Sequence, residues 1–249
     1  MDLRVWTTPV EFDGEPFMVF AALDTTDEKR RQVLERLFFH DTLNVVGGLR
    51  AVLEISPEPG GEATAELSRM AREYVKDLAE AIESQRDLAA AERGDLEVTA
   101  DVLSAAALLE RLRAGYSRHS VAEGKKLVVR AAAEDDTFVS DKTLLLRVLG
   151  NLTKNALEAS VPGQTVTLSF ESVDGPCFSV HNASAMSDAE QAQIFQRSFT
   201  TKEGPGRGLG TYSVRLLTEH YLKGTVEFRS AAAEGTTFTI RLPELLDKD

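Results

Sequence analysis

Six residues, Ser56-Pro57-Glu58-Pro59-Gly60-Gly61, constrain the fold of this chain more than any other stretch. Two prolines and two glycines so close together stop a helix, yet helical periodicity lies on both sides. Before the break, Thr26-Asp27-Glu28 supply N-capping chemistry, and the pattern runs to about Ile55. Its apolar residues Leu34, Phe38, Val45, Leu49 and Val52 recur on one helix face. After the break the pattern resumes to about Glu92, with Leu67, Met70, Tyr74, Leu78 and Ile82 on one stripe. Two long helices joined by a short loop make an antiparallel hairpin. A lone hairpin leaves an apolar face uncovered, so two copies paired as a four-helix bundle, a homodimer, is the economical arrangement.

The flanking regions read differently. Val5–Thr8 and Phe17–Phe20 are short extended runs around the turn signal Asp13-Gly14, which predicts a β-hairpin over residues 1–23. Two strands alone are marginal, so this hairpin must pack on something else. Arg93-Gly94-Asp95 marks a boundary between the helical hairpin, 24–93, and a mixed region, 94–249. That region predicts a helix near Val102–Tyr116, an extended run at Lys126–Ala131 and a helix from about Asp141 to Ala159. Strands follow at Thr165–Phe170 and Cys177–His181, then an irregular Gly-rich stretch. A helix at about Thr211–Leu222 and strands at Thr225–Phe228 and Thr236–Leu242 close the chain. Helices on one face of a mixed sheet form a two-layer α/β domain, so the fold class is α + α/β.

Composition removes several function classes. The 249 residues carry 28 Lys+Arg against 40 Asp+Glu, a formal charge of -12. That balance speaks against non-specific nucleic-acid binding, which rests on basic groups neutralising phosphates. One cysteine precludes an internal disulfide framework and fits a reducing compartment. No apolar run reaches the ~20 residues that span a bilayer, and no signal-peptide core follows Met1. The expectation is a cytoplasmic protein without a membrane span.

Three segments carry candidate chemistry. In the first predicted helix, His40 lies about 145° from the centre of the apolar stripe, so it faces outward. Asn44 is on the same side one turn along. A neutral exposed imidazole is a nucleophile near pH 7, and Asp41 can take the proton from one ring nitrogen. Alone, the segment reads more readily as a solvated polar patch than as a reactive centre. On the helix from Asp141, Arg147, Asn151, Asn155 and Glu158 share one stripe while Leu145, Val148, Leu149, Leu152 and Ala156 hold the other. Two amides and a carboxylate in line suit hydrated Mg²⁺, which prefers oxygen ligands; an exposed polar face is the plain alternative. Finally, Gly204-Pro205-Gly206-Arg207-Gly208-Leu209-Gly210-Thr211 runs straight into a helix, where close backbone approach and free N–H groups favour phosphates. It follows no strand and lacks the Walker pattern, so Rossmann and P-loop readings are poor.

In order and spacing these segments resemble a two-component sensor histidine kinase over about residues 26–249. His40-Asp41-Thr42-Leu43-Asn44 is similar to the H-box and Asn151-Leu152-Thr153-Lys154-Asn155-Ala156 to the N-box. Residues Ile194 to Lys202 resemble the F-box, Gly206-Arg207-Gly208-Leu209-Gly210 the second glycine box, and Gly235-Thr236-Thr237-Phe238 the end of the ATP-binding domain. The first hairpin with Asp24 to Arg30 is similar to the end of a PAS sensor domain. The resemblance implies a dimeric helical-hairpin domain and a Bergerat-type ATP-binding domain. It also implies that His40 takes the γ-phosphoryl group of ATP, with Asp41 as base, and passes it to an aspartate of a response-regulator receiver domain. Asn155, with Asn151, would ligate Mg²⁺; Lys202 and the backbone of Gly206, Arg207, Gly208, Leu209 and Gly210 would hold phosphates; Asn44 would orient water for phosphatase activity.

One stretch departs from the family. Where the first glycine box is Asp-x-Gly-x-Gly, this chain has Asn182-Ala183-Ser184-Ala185-Met186, without glycine and one residue shorter before the F-box. The amide oxygen of Asn182 can still accept from the adenine amino group, but the charge is gone and the turn must differ. Two other readings therefore stay open. One is a non-ATPase histidine phosphotransfer protein with a degenerate nucleotide site; the other is an ATPase or serine kinase of the same nucleotide fold.

Overall fold

The computed structural model describes residues 3–12, 15–24, 46, 47, 49, 62–117, 119–130, 136–172, 175–196 and 210–244. The described residues up to Gln85 form one compact unit, and those from Arg86 onward a second.

In the first unit, β1 (Leu3–Phe12) pairs antiparallel with β2 (Glu15–Asp24), from Phe12↔Glu15 to Leu3↔Asp24. The hairpin is longer than the sequence suggested. Trp6, Val10, Phe17 and Val19 project from one face and Val5, Met18 and Phe20 from the other, all exposed. Of the expected first long helix only residues 46, 47 and 49 are described, and they are helical; His40, Asp41 and Asn44 lie outside the described residues. The expected second helix is α1 (Glu62–Arg93), on which Leu67, Met70 and Leu78 are half-buried and Ile82 is exposed. Its C-terminus is built as the sequence signal implies. Asp95 N donates to Ala90 O and Gly94 N to Ala91 O, the paired bonds of a Schellman stop.

The second unit has a five-stranded sheet in the order β4-β6-β7-β9-β8, with β4 (Lys126–Arg130) parallel to β6 (Thr165–Ser172) and the other pairings antiparallel. β7 is Pro176–Asn182, β8 Thr225–Ala231 and β9 Gly235–Arg241. Register aligns apolar side chains in rows across the inner face: Val129, Leu168, Val180, Phe238 and Phe228 in one, Phe170, Phe178, Ile240 and Val226 in the next. The intervening residues, such as Ser169, Ser179, His181 and Thr237, line the outer face, where Ser169 and Ser179 hydrogen-bond at 2.6 Å and His181 and Thr237 at 3.0 Å. Period-2 alternation is what a sheet covered on one side requires.

The covering helices are α2 (Ala105–Tyr116), α3 (Lys142–Ala159) and α5 (Gly210–Leu216). α2 buries Ala105, Leu108, Leu109 and Leu112, an i, i+3, i+4, i+7 stripe. α3 buries Leu144, Leu145, Val148, Leu149, Leu152, Ala156 and Leu157. Each large side chain fully removed from water contributes about 1.5–3 kcal/mol, so α3 is the most strongly held of these helices.

Two strands were not anticipated. β3 (Ala100–Ser104) overlaps the start of the helix that periodicity predicts near Val102, and β5 (Thr137–Asp141) lies in a stretch for which it predicts no element. They pair antiparallel as a separate two-stranded sheet. The helix begins only at Ala105 because Ser104 is its N-cap, with Oγ accepting from Ala107 N. Asp141 joins the small sheet to α3: one carboxylate oxygen caps the helix at Leu144 N (2.9 Å) and the other accepts Thr99 N (2.7 Å).

Candidate nucleotide site

α3 is the spine of the site. Its buried stripe faces the core, which leaves Arg147, Asn151, Asn155 and Glu158 half-buried along its border. At the far end Lys125 Nζ donates to Leu157 O (2.7 Å) and Val121 O (3.0 Å). This cation adds a second hydrogen bond to the Leu157 carbonyl, which also accepts Ser160 N (3.2 Å), and complements the negative end of the helix dipole.

The first residue of α5 runs beside Asn155. A methyl group on Gly210 would stand 3.6 Å from Asn155 Nδ2 and 4.0 Å from Oδ1. Two contacts hold it there. Thr211 Oγ1 donates to Ile194 O in a short hydrogen bond. Phe195 packs edge-on against Phe228 and Phe238, with ring centroids 5.8 and 6.3 Å away, and the Arg215 guanidinium lies 5.8 Å above it. A four-residue helix, α4 (Asp188–Gln191), leads into Ile194 and Phe195 and is closed by a capping box between Ser187 and Glu190. The described residues flanking the glycine-rich stretch are thus tied to each other and to the sheet. Lys202, Gly206, Arg207, Gly208 and Leu209 lie outside the described residues; Gly210 is the member of that group that is described.

Asn182, 4% exposed, ends β7 opposite Thr236 of β9. Its Nδ2 donates to Ser184 O (3.3 Å), which leaves the amide oxygen as acceptor. The turn after it contains no glycine, and hydroxyl groups hold it instead. Thr236 Oγ1 donates to the same Ser184 O (2.7 Å). With that proton committed, the 2.8 Å bond between Ser230 and Thr236 has Ser230 as donor, and Ser230 Oγ in turn accepts Met186 N (2.8 Å). Ser184 Oγ donates to Ala159 O of α3 (2.6 Å). The glycine the turn needs sits on the neighbouring strand. Gly235 has φ 76°, and a Cβ there would lie 2.2 Å from Asn182 O and 2.8 Å from Ala183 Cα.

α3 therefore brings two of the sequence-derived groups to adjacent turns, Gly210 at Asn155 and the Asn182–Met186 segment at Ala159. The hydroxyls of Ser184, Ser230 and Thr236 escaped the sequence reading. Gly235-Thr236 is part of the family resemblance, but only strand register sets Thr236 opposite Asn182. Among the described residues no group of three or more His, Cys, Asp or Glu side chains could hold a metal ion. Asn155, whose side-chain amide lies beside Gly210 with the nitrogen the nearer atom, also carries an amide oxygen, the donor type that suits Mg²⁺.

Residues 140–246 match the family of histidine kinase-, DNA gyrase B- and HSP90-like ATPases. That part of the chain is a domain of this ATPase family. Within it the chain is related to the two-component sensor histidine kinases. A probable C4-dicarboxylate sensor kinase of Halalkalibacterium halodurans is 29% identical over 143 residues, which cover 53% of this chain and 27% of that relative. The chain thus corresponds to about a quarter of that protein. The solved histidine kinase AdeS of Acinetobacter baumannii has a TM-score of 0.61 at 18% identity, covering 83% of this chain and 96% of that one. Histidine kinase ThkA, solved in complex with the response regulator protein TrrA, has a TM-score of 0.59 at 16% identity, covering 96% and 74%. At such identities the two structures speak for the fold. No described helix is long and apolar enough to cross a membrane.

Proposed function

We propose that this chain is the kinase core of a two-component sensor histidine kinase. In this reading residues 1–23 are a hairpin from a PAS-type sensor, 24–93 the dimerising phosphoacceptor hairpin, and 94–249 the ATP-binding domain. ATP is the substrate. Its adenine amino group donates to the Asn182 amide oxygen, while Lys202 and the backbone of Gly206 to Gly210 hold its phosphates. Mg²⁺, held through Asn155 and its neighbour Asn151, would neutralise phosphate charge during transfer. An imidazole nitrogen of His40 attacks the γ-phosphorus; a P–N bond forms as the P–O bond to ADP breaks. Asp41 takes the proton from the other ring nitrogen. The phosphoryl group then passes to an aspartate carboxylate of a receiver domain, and His40 is regenerated. Asn44, one turn further on, orients water for the reverse, phosphatase, duty. The partners are a second copy of the chain through the helical hairpin and a cytoplasmic response regulator.

The observation that carries this reading is the meeting of the Gly210 and Asn182 segments on consecutive turns of α3. Relatives that are sensor kinases, and a similar fold solved with a response regulator, support it. The glycine-free turn at Asn182 is the one feature that favours a relay protein instead. Purified chain incubated with labelled ATP and Mg²⁺ is expected to gain acid-labile, alkali-stable phosphate that His40→Gln abolishes. Absence of both label and nucleotide binding would favour the relay, and ATP hydrolysis indifferent to His40→Gln would favour a plain ATPase.

A further inference from the structure

The end of α5 departs from regular helix geometry in three ways within a few residues. Leu217–Tyr221 form a π turn, closed by Leu222 N donating to Leu217 O at 2.9 Å. Thr218, fully buried, has a hydroxyl without a hydrogen-bond partner among the described residues. Lys223 adopts φ 54°. Each departure costs free energy, and such costs persist where the surroundings require the geometry. The extra residue in a π turn rotates everything beyond it by about 100° relative to a continuous α-helix.

That rotation accompanies one specific contact. Tyr221 O–H donates to Ala91 O at 2.6 Å, across 130 positions of sequence. Ala91 belongs to the last turn of α1, where carbonyls lack partners within the helix, and its oxygen also takes the Gly94 N–H of the helix stop. Leu88 and Ala91 are 2% and 5% exposed, so the end of α1 is built into the core of the C-terminal unit. Burial, and secondarily the Asp95 carboxylate, push the Tyr221 hydroxyl above its ordinary pKa, which keeps it a donor through the neutral range. α5 starts with Gly210 beside Asn155 of α3, and the π turn that continues it reaches Ala91 through Tyr221; one short helical segment connects the nucleotide site to the end of α1.

We infer that Tyr221 is a positioning residue: within the second unit its hydroxyl locks the end of the α5 segment to the last turn of α1, and so holds the helix that begins beside Asn155 in the place the phosphoryl-transfer step needs. The kinetic part of this inference rests on the kinase reading above; the mechanical part does not. Transfer between two bound groups is sensitive to alignment, so a loosened joint slows the chemical step without weakening nucleotide binding.

The test is Tyr221→Phe in the full chain, which keeps the ring and removes only the donor. Amide exchange at Gly94 and Asp95 is expected to quicken roughly three- to tenfold while α3 amides stay unchanged, the scale of one lost hydrogen bond. The kcat of autophosphorylation is expected to fall by a similar factor, with the KM for ATP and nucleotide affinity unchanged. Unchanged exchange overturns the lock. Faster exchange with unchanged kcat overturns the positioning role, and a matched loss of kcat and ATP affinity reduces Tyr221 to general support. Should the parent chain show no autophosphorylation, the kinase reading fails and the positioning role falls with it, while the exchange result still decides the lock.

Discussion

Gly235→Ala is the most informative single substitution in the nucleotide site. An alanine at φ 76° pays about 1–2 kcal/mol for the left-handed backbone alone. Its Cβ would also fall 2.2 Å from Asn182 O. That approach is far inside contact distance and is made to backbone, so the ends of β7 and β9 must separate. Separation costs the ladder step at Asn182↔Thr236 and the Thr236 hydrogen bond to Ser184 O, about 1 kcal/mol each. The sum is about 3–4 kcal/mol, a fall in melting temperature of roughly 6–15 °C for a domain of this size. Asn182 moves with the strand, so ATP affinity is expected to drop at least tenfold. Gly163→Ala is the control: φ there is 90°, with nothing within 4 Å of the added methyl. It should lose only about 1–2 kcal/mol and bind ATP as the parent does. Thermal unfolding by circular dichroism and titration with a fluorescent ATP analogue read both quantities. If Gly235→Ala matches its control in stability and the parent in ATP affinity, the close packing of Gly235 on Asn182 does not govern the site.

Two further outcomes are expected. Asn155→Ala, which removes a half-buried amide beside Gly210, should shift the Mg²⁺ dependence of autophosphorylation to higher concentration and cut the rate about 100-fold, with little change in melting temperature; an unaltered Mg²⁺ titration would remove Asn155 from the metal site. Burial raises the pKa of the Cys177 thiol, Arg241 opposes the shift, and Glu171 and Glu227 add to it. A thiol whose folded pKa is raised lends stability that is complete below the unfolded value of about 8.5 and is lost as pH rises through the folded value. Iodoacetamide at pH 8 should therefore label Cys177 more slowly in the native chain than in urea, and equal rates would contradict the shift.

The stripe of α3 was legible because Leu145, Val148, Leu149, Leu152 and Ala156 repeat at helical spacing within a dozen residues. The alternation of Val166, Leu168 and Phe170 was legible for the same reason, as was the stop at Arg93-Gly94. β3 was misread because five residues ending in Val102-Leu103-Ser104 look like the entry to the helix that follows, and their strand partner lies almost forty residues away. The turn at Asn182 was recognised as altered, but its repair was not visible. Ser184 bonds to Ala159, Thr236 to Ser184 and Met186 to Ser230, partners separated by 25, 52 and 44 positions.

The chain's own residues thus determined α1, α3 and the strands of the five-stranded sheet, though not β3 and β5, together with the apolar faces and the short motifs, since each depends on neighbours a few positions apart. Tertiary packing alone decided that Gly210 lies against Asn155, that hydroxyls replace glycines beneath Asn182, and that Tyr221 reaches Ala91. A side chain's partner across a sheet or between helices is fixed by register and by the space the core leaves, and neither is written in local spacing.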